Sequence, residues 1–459
     1  MRKECQSVNS LLGIQNYRLH TPSGQCLKHQ FTRGNTTAPV RFPEYSIMAN
    51  TIEELNGRRH FDYIVIGCGG IGSGALYWLS KRAGENVLGL EKFQLAHSNG
   101  GSQDVSRIIR LMYPIEEYLR LTPETYRAWE EVEKESGYQL VYKPGSLSLA
   151  DTPDGVAVLE KYAAKMAEAG IPFERFNSKQ LMERYPQFTA GPQMQALYQK
   201  DGGLVDAAAG NSLHVQLAQG RGAKVIDNCP VNKLSRDPSG LLEVCTPKGT
   251  FTCRKVMVTA GAWINHVISS IGCHVPVYVT QENVTYFGSP HTKEFTREKF
   301  PVFIYHDQER DVYALPVHGI TGTKIGVDAG GPVTTGDTRT WVPDPVRLRH
   351  ITDLCKRIIP KFLGPVMETK TCLYTMTPDR NFLIDTASKA GFPDVIVCSG
   401  AGHAYKFASF LGKVLSEMAV DGRTQFDISA FSWDREALTD PQFKPTFYHG
   451  KDQGPSSKL

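Results

Sequence analysis

Several marks of specialised protein classes are missing from this 459-residue chain. No apolar run approaches the roughly 18 residues that a helix needs to span a membrane. The ten cysteines include no CxxC pair, which argues against a zinc ribbon or a thioredoxin-type redox site and favours free thiols in a reducing compartment. A net charge of +4 is small for this length and does not demand a nucleic-acid or membrane partner, so we expect no nucleic-acid partner. We also expect no membrane span and no metal site.

The two ends of the chain have features typical of targeting signals. The last three residues, Ser457-Lys458-Leu459, match the peroxisomal import signal, which must lie at the extreme C-terminus. We therefore expect an import receptor as a partner and the peroxisomal matrix as the location. Residues 1–47 are rich in basic side chains but have no apolar core like that of a secretory signal. We expect residues 1–59 to form a disordered extension, with Met48 as an alternative start and a weak mitochondrial presequence as the minority interpretation.

A β–turn–α–β unit at residues 61–91 is the first strong structural pattern. Residues 61–66 are short, β-branched and apolar, as a buried parallel strand is. They lead into the segment 67–72, Gly-Cys-Gly-Gly-Ile-Gly, and then into a helical stretch. In this motif the first glycine permits a tight turn, the second lets a pyrophosphate approach the backbone, and the third lets helix and strand pack closely. The helix N-terminus then faces the phosphates.

An acidic residue completes the motif. Glu91 ends the second strand about 20 residues after the glycines, where a carboxylate can accept hydrogen bonds from a ribose 2′-hydroxyl. The unit therefore predicts a dinucleotide site and disfavours NADP, because the carboxylate would repel a 2′-phosphate. The motif by itself does not separate FAD from NAD.

The rest of the pattern predicts an α/β fold built from separated pieces. Helical periodicity over 115–136 and 155–170 alternates with apolar, strand-like runs such as 256–259 and 395–398. We expect a nucleotide-binding domain into which a sheet-rich second domain is inserted. The expected boundaries are 60–145, 201–270 and 370–432 for the nucleotide-binding domain, 146–200 and 271–369 for the second domain, and 433–459 for a tail with the import signal.

Four blocks of sequence resemble the sarcosine oxidase family of flavin enzymes, from about Phe61 to Phe431. They are the glycine-rich fingerprint through 90–93, residues 97–100 with 106–110, residues 372–379, and residues 400–407. Their order and spacing agree with the family, whose members include N-methyltryptophan oxidase, and the C-terminal tripeptide points to its peroxisomal sarcosine and L-pipecolate oxidase branch. The resemblance implies a Rossmann-type FAD-binding domain, like that of D-amino-acid oxidase and glutathione reductase, with an inserted mixed-sheet substrate domain.

The resemblance also implies how FAD is held. Cys372 matches the cysteine that attaches the flavin covalently through its 8-methyl group, and Arg107 matches a catalytic arginine beside the flavin ring. A thiolate is a good nucleophile toward an electron-poor ring, although a cysteine taken alone is more often an ordinary buried thiol. The implied cofactor-binding residues are Gly67, Gly69, Gly70, Ile71, Gly72, Glu91, Lys92, Ser106, Arg107, Val231, Cys372, Gly400, Gly402, His403 and Lys406.

The same matching implies a substrate site. Arg110 and Lys406 correspond to a pair that binds a carboxylate, since arginine offers a planar fork and lysine a compact charge. Lys324 corresponds to a lysine that activates oxygen beside flavin N5. Two tyrosines correspond to aromatic walls of the pocket, Tyr313 and Tyr374. The ordinary alternatives are a surface cation for Arg110, a solvated lysine for Lys324, and core packing for the tyrosines.

Two positions depart from the family pattern near the substrate. The family often has Ser-His-Gly or His-His-Gly before the arginine pair, where this chain has Ser102-Gln103-Asp104. Sarcosine oxidases place a histidine four residues after the lysine, where this chain has Asp328. Asp328 is interpreted as a substrate-binding residue for an amine or a second cationic group, or as a partner of Lys324.

The resemblance implies oxidation of the C–N bond of a small secondary amino acid to an imine, with O₂ reduced to H₂O₂ by a monomeric enzyme. Sarcosine, L-pipecolate and other N-alkyl amino acids are the expected substrates. The alternatives are a flavin dehydrogenase with another electron acceptor, an oxidase of a bulkier secondary amine, an NAD-dependent dehydrogenase, and a non-catalytic FAD-binding peroxisomal scaffold.

Overall fold

The computed structural model of the protein describes residues 48–307 and 310–446. The expected import signal and residues 1–47, with their expected presequence or disorder, lie outside these ranges. Within them, the predicted α/β architecture is confirmed, and it is built on two large sheets and one small one.

The first sheet has eight strands and contains the glycine-rich motif. Its strands are β1 (His60–Ile66), β2 (Val87–Leu90), β9 (Lys224–Ile226), β10 (Lys233–Arg236), β11 (Leu242–Thr246), β12 (Gly249–Val258), β19 (Leu383–Ala387) and β20 (Phe392–Ser399). The order is β10-β11-β12-β1-β2-β9, with β20 also paired to β12 and β19 to β20. β1 is parallel to β2 and β12, β12 to β20, and β2 to β9. The carboxyl ends of these strands therefore lie at one edge, where ligands bind in such sheets.

The second sheet has nine strands and is mixed, as predicted. Its strands are β5 (Ser146–Ala150), β6 (Glu174–Asn177), β7 (Gln195–Gln199), β13 (Tyr278–Phe287), β14 (Val302–Tyr305), β15 (Val312–Leu315), β16 (Thr323–Val327), β17 (Val333–Thr334) and β18 (Val366–Met376). The order is β17-β13-β16-β15-β14-β5-β7-β6, with β18 also paired to β13. A small third sheet joins β3 (Ser106–Ile109), β8 (Gly203–Asp206) and β4 (Val141–Tyr142), in the order β3-β8-β4.

Nine α-helices surround the sheets in the described part of the chain. They are α1 (Gly70–Ala83), α2 (Glu116–Ser136), α3 (Pro153–Glu168), α4 (Ser178–Arg184), α5 (Ala207–Gly220), α6 (Ile264–Ile268), α7 (Pro345–Ile358), α8 (Ala408–Asp421) and α9 (Glu436–Thr439). Short 3₁₀ helices occur at Glu53–Leu55, Gly84–Asn86, Gly261–Trp263, Ser269–Ile271, Thr292–Glu294, Pro360–Phe362, Ser388–Ala390, Tyr405–Phe407 and Ser429–Phe431.

Close packing of α1 against α8 anchors the glycine-rich turn. A Cβ added at Gly74 would lie 2.5 Å from the carbonyl oxygen of Ala408, and one at Gly412 would overlap the backbone of Gly74. The two helix backbones therefore touch, and apolar residues of α1, α5 and α8 form one buried cluster with β1 and β20. A second apolar cluster includes residues of β10, β11 and α6. Burial of this kind stabilises a fold by roughly 25 cal/mol per Å² of apolar surface.

Three predicted boundaries need correction. Disorder is wrong for residues 48–59, because Asn50 donates a backbone hydrogen bond to Val225 and Leu55 is buried in the core. Residues 370–376 belong to the second sheet, because β18 pairs along β13. The tail does not begin at 433, because Leu438 is also buried. The three errors have the same cause, because the local sequence pattern does not show which distant segment a residue packs against.

No helix within 48–307 or 310–446 is long and apolar enough to cross a membrane. The same residues contain no group of three or more His, Cys, Asp or Glu side chains arranged to hold a metal ion.

Candidate active site

A cavity of about 610 Å³ lies where the first sheet meets the second. Its lining includes residues of the glycine-rich turn after β1, of β3, of β15, β16 and β18, and of the turn after β20. All of the predicted site residues line it except Gly72. The structure therefore brings together side chains that are far apart in the sequence.

The glycine-rich turn has the geometry that the sequence predicted. Gly67 has φ +87°, and a Cβ there would lie 2.8 Å from the carbonyl oxygen of Thr259. A Cβ at Gly72 would overlap the carbonyl oxygen of Gly67, so the third glycine is needed for packing of α1 on β1. Gly69, Gly70 and Ile71 line the cavity at the start of α1. Backbone N–H groups and the positive end of the helix dipole thus face the cavity without obstructing side chains.

Glu91 is an ionised carboxylate at the end of β2. It accepts hydrogen bonds from the amides of Cys68 at 2.8 Å and Phe93 at 3.0 Å, and His97 Nε2 lies 3.2 Å away. Burial raises the pKa of Glu91, but these hydrogen bonds and the His97 ring outweigh it, so the pKa lies below its usual value. Oε2 accepts only the Cys68 amide and so has a further lone pair for a ribose hydroxyl.

Lys92 and Val231 also line this part of the cavity. The Lys92 ammonium lies 2.9 Å from Asp337 and 4.7 Å from the ring centre of Trp263, so its charge is already compensated. Together with the bare glycine turn and Glu91, these residues fit the pyrophosphate and ribose of a dinucleotide such as FAD.

Arg110 and Lys406 form a cationic pair without a fixed anion. The Arg110 guanidinium lies 4.8 Å from the ring centre of Tyr113 and 5.6 Å from that of Tyr162. Its Nη1 atom is buried without a hydrogen-bond partner. Lys406 Nζ donates to the carbonyl oxygen of His403 at 2.8 Å and lies 6.0 Å from the Tyr113 ring centre. Neither cation has a carboxylate within 4 Å among the residues that the structure describes.

The electrostatics of Lys406 follow from this arrangement. Burial, and then the charge of Arg110, lower the pKa of Lys406 to about 7. A buried cation with no counter-ion is costly, and an anionic ligand removes that cost. The pair therefore fits a substrate carboxylate, as predicted for Arg110 and Lys406.

Lys324 on β16 is buried and, unlike Lys406, forms an ion pair with a carboxylate. Its Nζ lies 2.6 Å from Oδ2 of Asp104 and donates to the carbonyl oxygen of Ser106 at 2.6 Å. Burial lowers the pKa of Lys324 to about 8, and Asp104 opposes that shift. Burial raises the pKa of Asp104, but Lys324 and then Arg107 bring it well below its usual range. Asp104 was missed as a site residue, although the departure from the family's glycine marked the position.

Arg107 on β3 is held by backbone carbonyls. It donates to Ser106 at 2.9 Å, to Gly101 at 3.1 Å and also to Gln103. Its guanidinium carbon lies 5.6 Å from the ring centre of Tyr405. Arg107 and Ser106 both line the cavity. Arg107 therefore lies in the cavity wall beside the Tyr405 ring and next to Ser106, the residue that accepts a hydrogen bond from Lys324.

Asp328 pairs with Arg380 and not with Lys324, which corrects one of the three interpretations of this residue. Its oxygens lie 3.0 and 3.3 Å from the two terminal nitrogens of Arg380. Burial raises the pKa of Asp328, but Arg380 outweighs it, so the carboxyl is ionised. Arg380 also lines the cavity and was missed, although it directly follows the third sequence block.

His403 is neutral beside this ion pair. Its Nε2 lies 2.9 Å from the carbonyl oxygen of Arg380, and burial, followed by Lys406 and Arg380, lowers its pKa to about 3. Gly400 and Gly402 form the turn that precedes it, and Gly402 has φ +82°. The turn places Lys406 in the 3₁₀ helix before α8.

Cys372 and the two tyrosines come from β18 and β15 of the second sheet, which are separated by β13 and β16. Cys372 and Tyr374 lie on β18, and Tyr313 lies on β15. Burial raises the pKa of the Cys372 thiol to about 11, and the Arg107 charge acts in the opposite direction. The Tyr374 ring lies against the turn, since a Cβ at Gly402 would lie 3.0 Å from it. A thiol and two aromatic rings thus face the same space as the cationic side chains.

Comparisons with known proteins agree with this geometry. Residues 62–418 match the family described as FAD dependent oxidoreductase (DAO). The chain is 29% identical over 383 residues to the monomeric sarcosine oxidase of Bacillus sp. (strain NS-129), an alignment that covers 83% of this chain and 98% of the relative. It is 32% identical over 382 residues to the probable sarcosine oxidase of Arabidopsis thaliana, covering 80% of this chain and 90% of the relative. Among solved structures, the open form of NikD, an unusual amino acid oxidase essential for nikkomycin biosynthesis, matches with a TM-score of 0.72 at 24% identity, covering 82% of this chain and 97% of that one.

Proposed function

The chain belongs to the FAD dependent oxidoreductase family, and we propose that it oxidises the C–N bond of a small secondary amino acid to an imine, with O₂ as electron acceptor. Family membership confirms FAD as the cofactor and the resemblance that the four sequence blocks indicated. One observation carries the proposal for the substrate: two partly buried cations, Arg110 and Lys406, share a tyrosine-lined cavity, and neither has a carboxylate within 4 Å among the residues that the structure describes.

The protein's own side chains bind and orient the substrate. Arg110 and Lys406 hold the carboxylate, which fixes the rest of the amino acid in the cavity. Tyr313 and Tyr374 exclude water and pack on the substrate body. The neutral ring of His403 and the Asp328–Arg380 pair add no net charge, so the positive potential of Arg110 and Lys406 is not cancelled.

The electrons and protons balance between the amino acid and O₂. FAD, when bound, supplies the hydride acceptor for the carbon beside the nitrogen. The amino acid loses two electrons and two protons to become an imine, which water then hydrolyses. O₂ gains two electrons and two protons and becomes H₂O₂.

Finer features of the proposal rest on the sequence. We propose that Cys372 attaches the flavin covalently, because its thiol lies in the cavity with Arg107 nearby. We propose sarcosine, L-pipecolate or a related N-alkyl amino acid as substrate, and the peroxisome as location because of the C-terminal tripeptide. We also propose that the protein acts as a monomer, because it resembles the monomeric sarcosine oxidases.

A flavin-reduction screen tests the proposed function. The purified protein is mixed anaerobically with sarcosine, L-pipecolate and N-methyl amino acids, and loss of the flavin absorbance is recorded. At least one of them should bleach the flavin, and admitting air should restore the absorbance with formation of H₂O₂. The matching primary amino acids and the decarboxylated amines should react far more slowly. Failure of every secondary amino acid to reduce a bound flavin would contradict the proposal.

An arginine comparison links that activity to the cavity. Arg110→Met should weaken apparent substrate affinity by about 30-fold or more, because a buried charge pair costs about 2–5 kcal/mol when one partner is removed. The control is Arg120→Met, since Arg120 is half exposed on α2 and pairs with Asp427 at 3.2 Å. The control should keep wild-type affinity. Equal effects of the two substitutions would remove Arg110 from the substrate site.

A further inference from the structure

A buried carboxylate lies next to the lysine that the family resemblance assigns to oxygen chemistry. Asp104 precedes β3 and has φ +83°, a left-handed conformation that glycine adopts without strain. It accepts hydrogen bonds from the Tyr286 hydroxyl at 2.7 and 2.8 Å. Its oxygens lie 2.6 Å from Lys324 Nζ, 3.3 Å from Lys370 Nζ and 4.0 Å from Nη1 of Arg107. Asp104 stands where the family pattern has a glycine, and its carboxylate reaches Lys324, a cation that lines the cavity.

The hydrogen-bond donors of Lys324 are all used within the protein. A lysine ammonium has three N–H donors. Lys324 has three acceptors within reach, the carbonyl oxygen of Ser106 at 2.6 Å, the Ser106 hydroxyl at 3.3 Å and Asp104 at 2.6 Å. Lys406, by contrast, has one described acceptor, the carbonyl oxygen of His403. Lys324 is therefore left with no N–H group for a small molecule in the cavity and with a compensated charge.

This pairing has a consequence for the reaction with O₂. The first electron that O₂ accepts converts it to an anion, and a preorganised cation with a free N–H group stabilises such an anion strongly in a water-poor site. A cation already paired with a carboxylate offers much less, because the two fields largely cancel. We propose that Asp104 acts as a positioning residue that restrains electron transfer from the reduced cofactor to O₂ by occupying and neutralising Lys324. This inference rests on the proposed function for the presence of FAD, which supplies the two electrons; two protons complete the conversion of O₂ to H₂O₂.

Two substitutions at position 104 distinguish an effect of the carboxylate charge from an effect on folding. Asp104→Gly removes the acid at a φ that suits glycine, and Asp104→Asn keeps the size and an acceptor for Tyr286 while removing the charge. Both should accelerate reoxidation of the reduced flavin by O₂ by about tenfold or more, which corresponds to about 1.4 kcal/mol. The acceleration should be largest at acid pH and fade as pH rises, because Lys324 loses its proton more readily without its partner. A purely structural defect would not produce that pH profile.

The measurement needs no amino-acid substrate. The holoenzyme is photoreduced without amino acid and mixed with buffers of different O₂ content, and the return of the flavin absorbance is followed. Because no amino acid takes part, this result is independent of substrate identity. Protein that binds no flavin at all would defeat the proposed function, whereas equal reoxidation rates in wild type and both Asp104 variants across the pH range would overturn this inference alone.

Azide binding gives a readout that is not catalytic. Azide, a small anion, should perturb the flavin absorbance of Asp104→Gly at concentrations at least about tenfold lower than in wild type, because the freed ammonium attracts it. Adding Lys324→Met to Asp104→Gly should abolish both the azide effect and the acceleration. Lys370→Met is the control, since Lys370 also contacts Asp104 but is not among the residues that line the cavity, and it should leave both properties unchanged. An acceleration that persists with methionine at position 324 would assign the effect to another group and overturn the inference.

Discussion

Lys324 and Lys406 line one cavity, but Lys324 is buried and paired with a carboxylate, whereas Lys406 is partly buried and has no carboxylate within 4 Å among the described residues. Lys324 lies 2.6 Å from the Asp104 carboxylate, whereas Lys406 and Arg110 both lie within 6.0 Å of the Tyr113 ring centre. Burial lowers the pKa of both, to about 8 for Lys324 and to about 7 for Lys406. Lys406 is therefore the residue whose charge should depend most on whether an anion is bound.

The pH dependence of carboxylate binding tests this difference. Because the pKa of Lys406 is lowered to about 7, its ammonium is present below that pH and is lost as pH rises through it in the free enzyme. A carboxylate binds the ammonium form, so its affinity should be constant at acid pH and fall by up to tenfold per pH unit above about 7, until the raised pKa of the complex is reached. Acetate and propionate are suitable probes, since they have no amine and remain ionised over this range.

Lys406→Met supplies the comparison for these titrations. The variant should bind both carboxylates more weakly at acid pH and should lose the decline above about pH 7, because Arg110 stays charged throughout. The dissociation constants are read from the perturbation of the flavin spectrum. A wild-type affinity that does not change with pH, or a variant that keeps the same decline, would show that another group titrates.

Residue identities were predictable from sequence only where a motif fixes them. The glycines of the turn, Glu91 and the cationic pair could be predicted because the fingerprint and the family blocks name those positions. Asp104 and Arg380 could not, because their partners are distant in the sequence: Lys324, Lys370 and Tyr286 for Asp104, and Asp328 for Arg380. A side chain that replaces a family glycine is the feature that could have marked Asp104.

At the scale of elements, β18 connects the second sheet to the cofactor site. It pairs along β13 with Cys372 opposite Glu282 and Tyr374 opposite Thr280. Residues two apart on a strand point to the same face, so one face of β18 directs both Cys372 and Tyr374 toward the cavity. The sequence indicated a functional block here but assigned it to the first domain, because periodicity does not identify the sheet that a strand joins.

Covalent attachment through β18 can be tested with two cysteines. Cys372→Ala should bind FAD that is released by acid precipitation, whereas the wild-type protein should keep its flavin in the precipitate. Cys398→Ala is the control, because Cys398 is also buried and lines the cavity but lies on β20 of the first sheet. The control should retain covalent flavin. Release of flavin from the wild type, or retention in Cys372→Ala, would exclude the thioether at this position.

At the scale of the whole molecule, the cavity requires both large sheets at once. The first sheet supplies the dinucleotide motif, and the second supplies the thiol, the tyrosines and Lys324. The sequence predicted this division because the β–turn–α–β unit and the strand-rich insertion have distinct patterns. It did not predict that residues 48–59 and Leu438 pack on the first sheet, since such contacts depend on surfaces formed only after folding.

The tripeptide that we propose as an import signal lies outside the part of the chain that lines the cavity, so import and activity can be tested separately. The cavity is lined by residues between Ile66 and Lys406, whereas the tripeptide Ser457-Lys458-Leu459 follows the last described residue. Removing those three residues should therefore leave amino-acid oxidation unchanged while abolishing peroxisomal import, because the signal is read only at the extreme C-terminus.

Fluorescence microscopy of tagged chains measures this outcome. The full chain, with the tag at its N-terminus, should colocalise with a peroxisomal marker, and a chain that begins at Met48 should do the same. The chain without its last three residues should be diffuse. Colocalisation of the full chain with mitochondria, abolished by starting at Met48, would instead assign the address to residues 1–47. An oxidase that releases H₂O₂ is best placed beside a peroxide-consuming enzyme, so the proposed peroxisomal location suits the proposed chemistry.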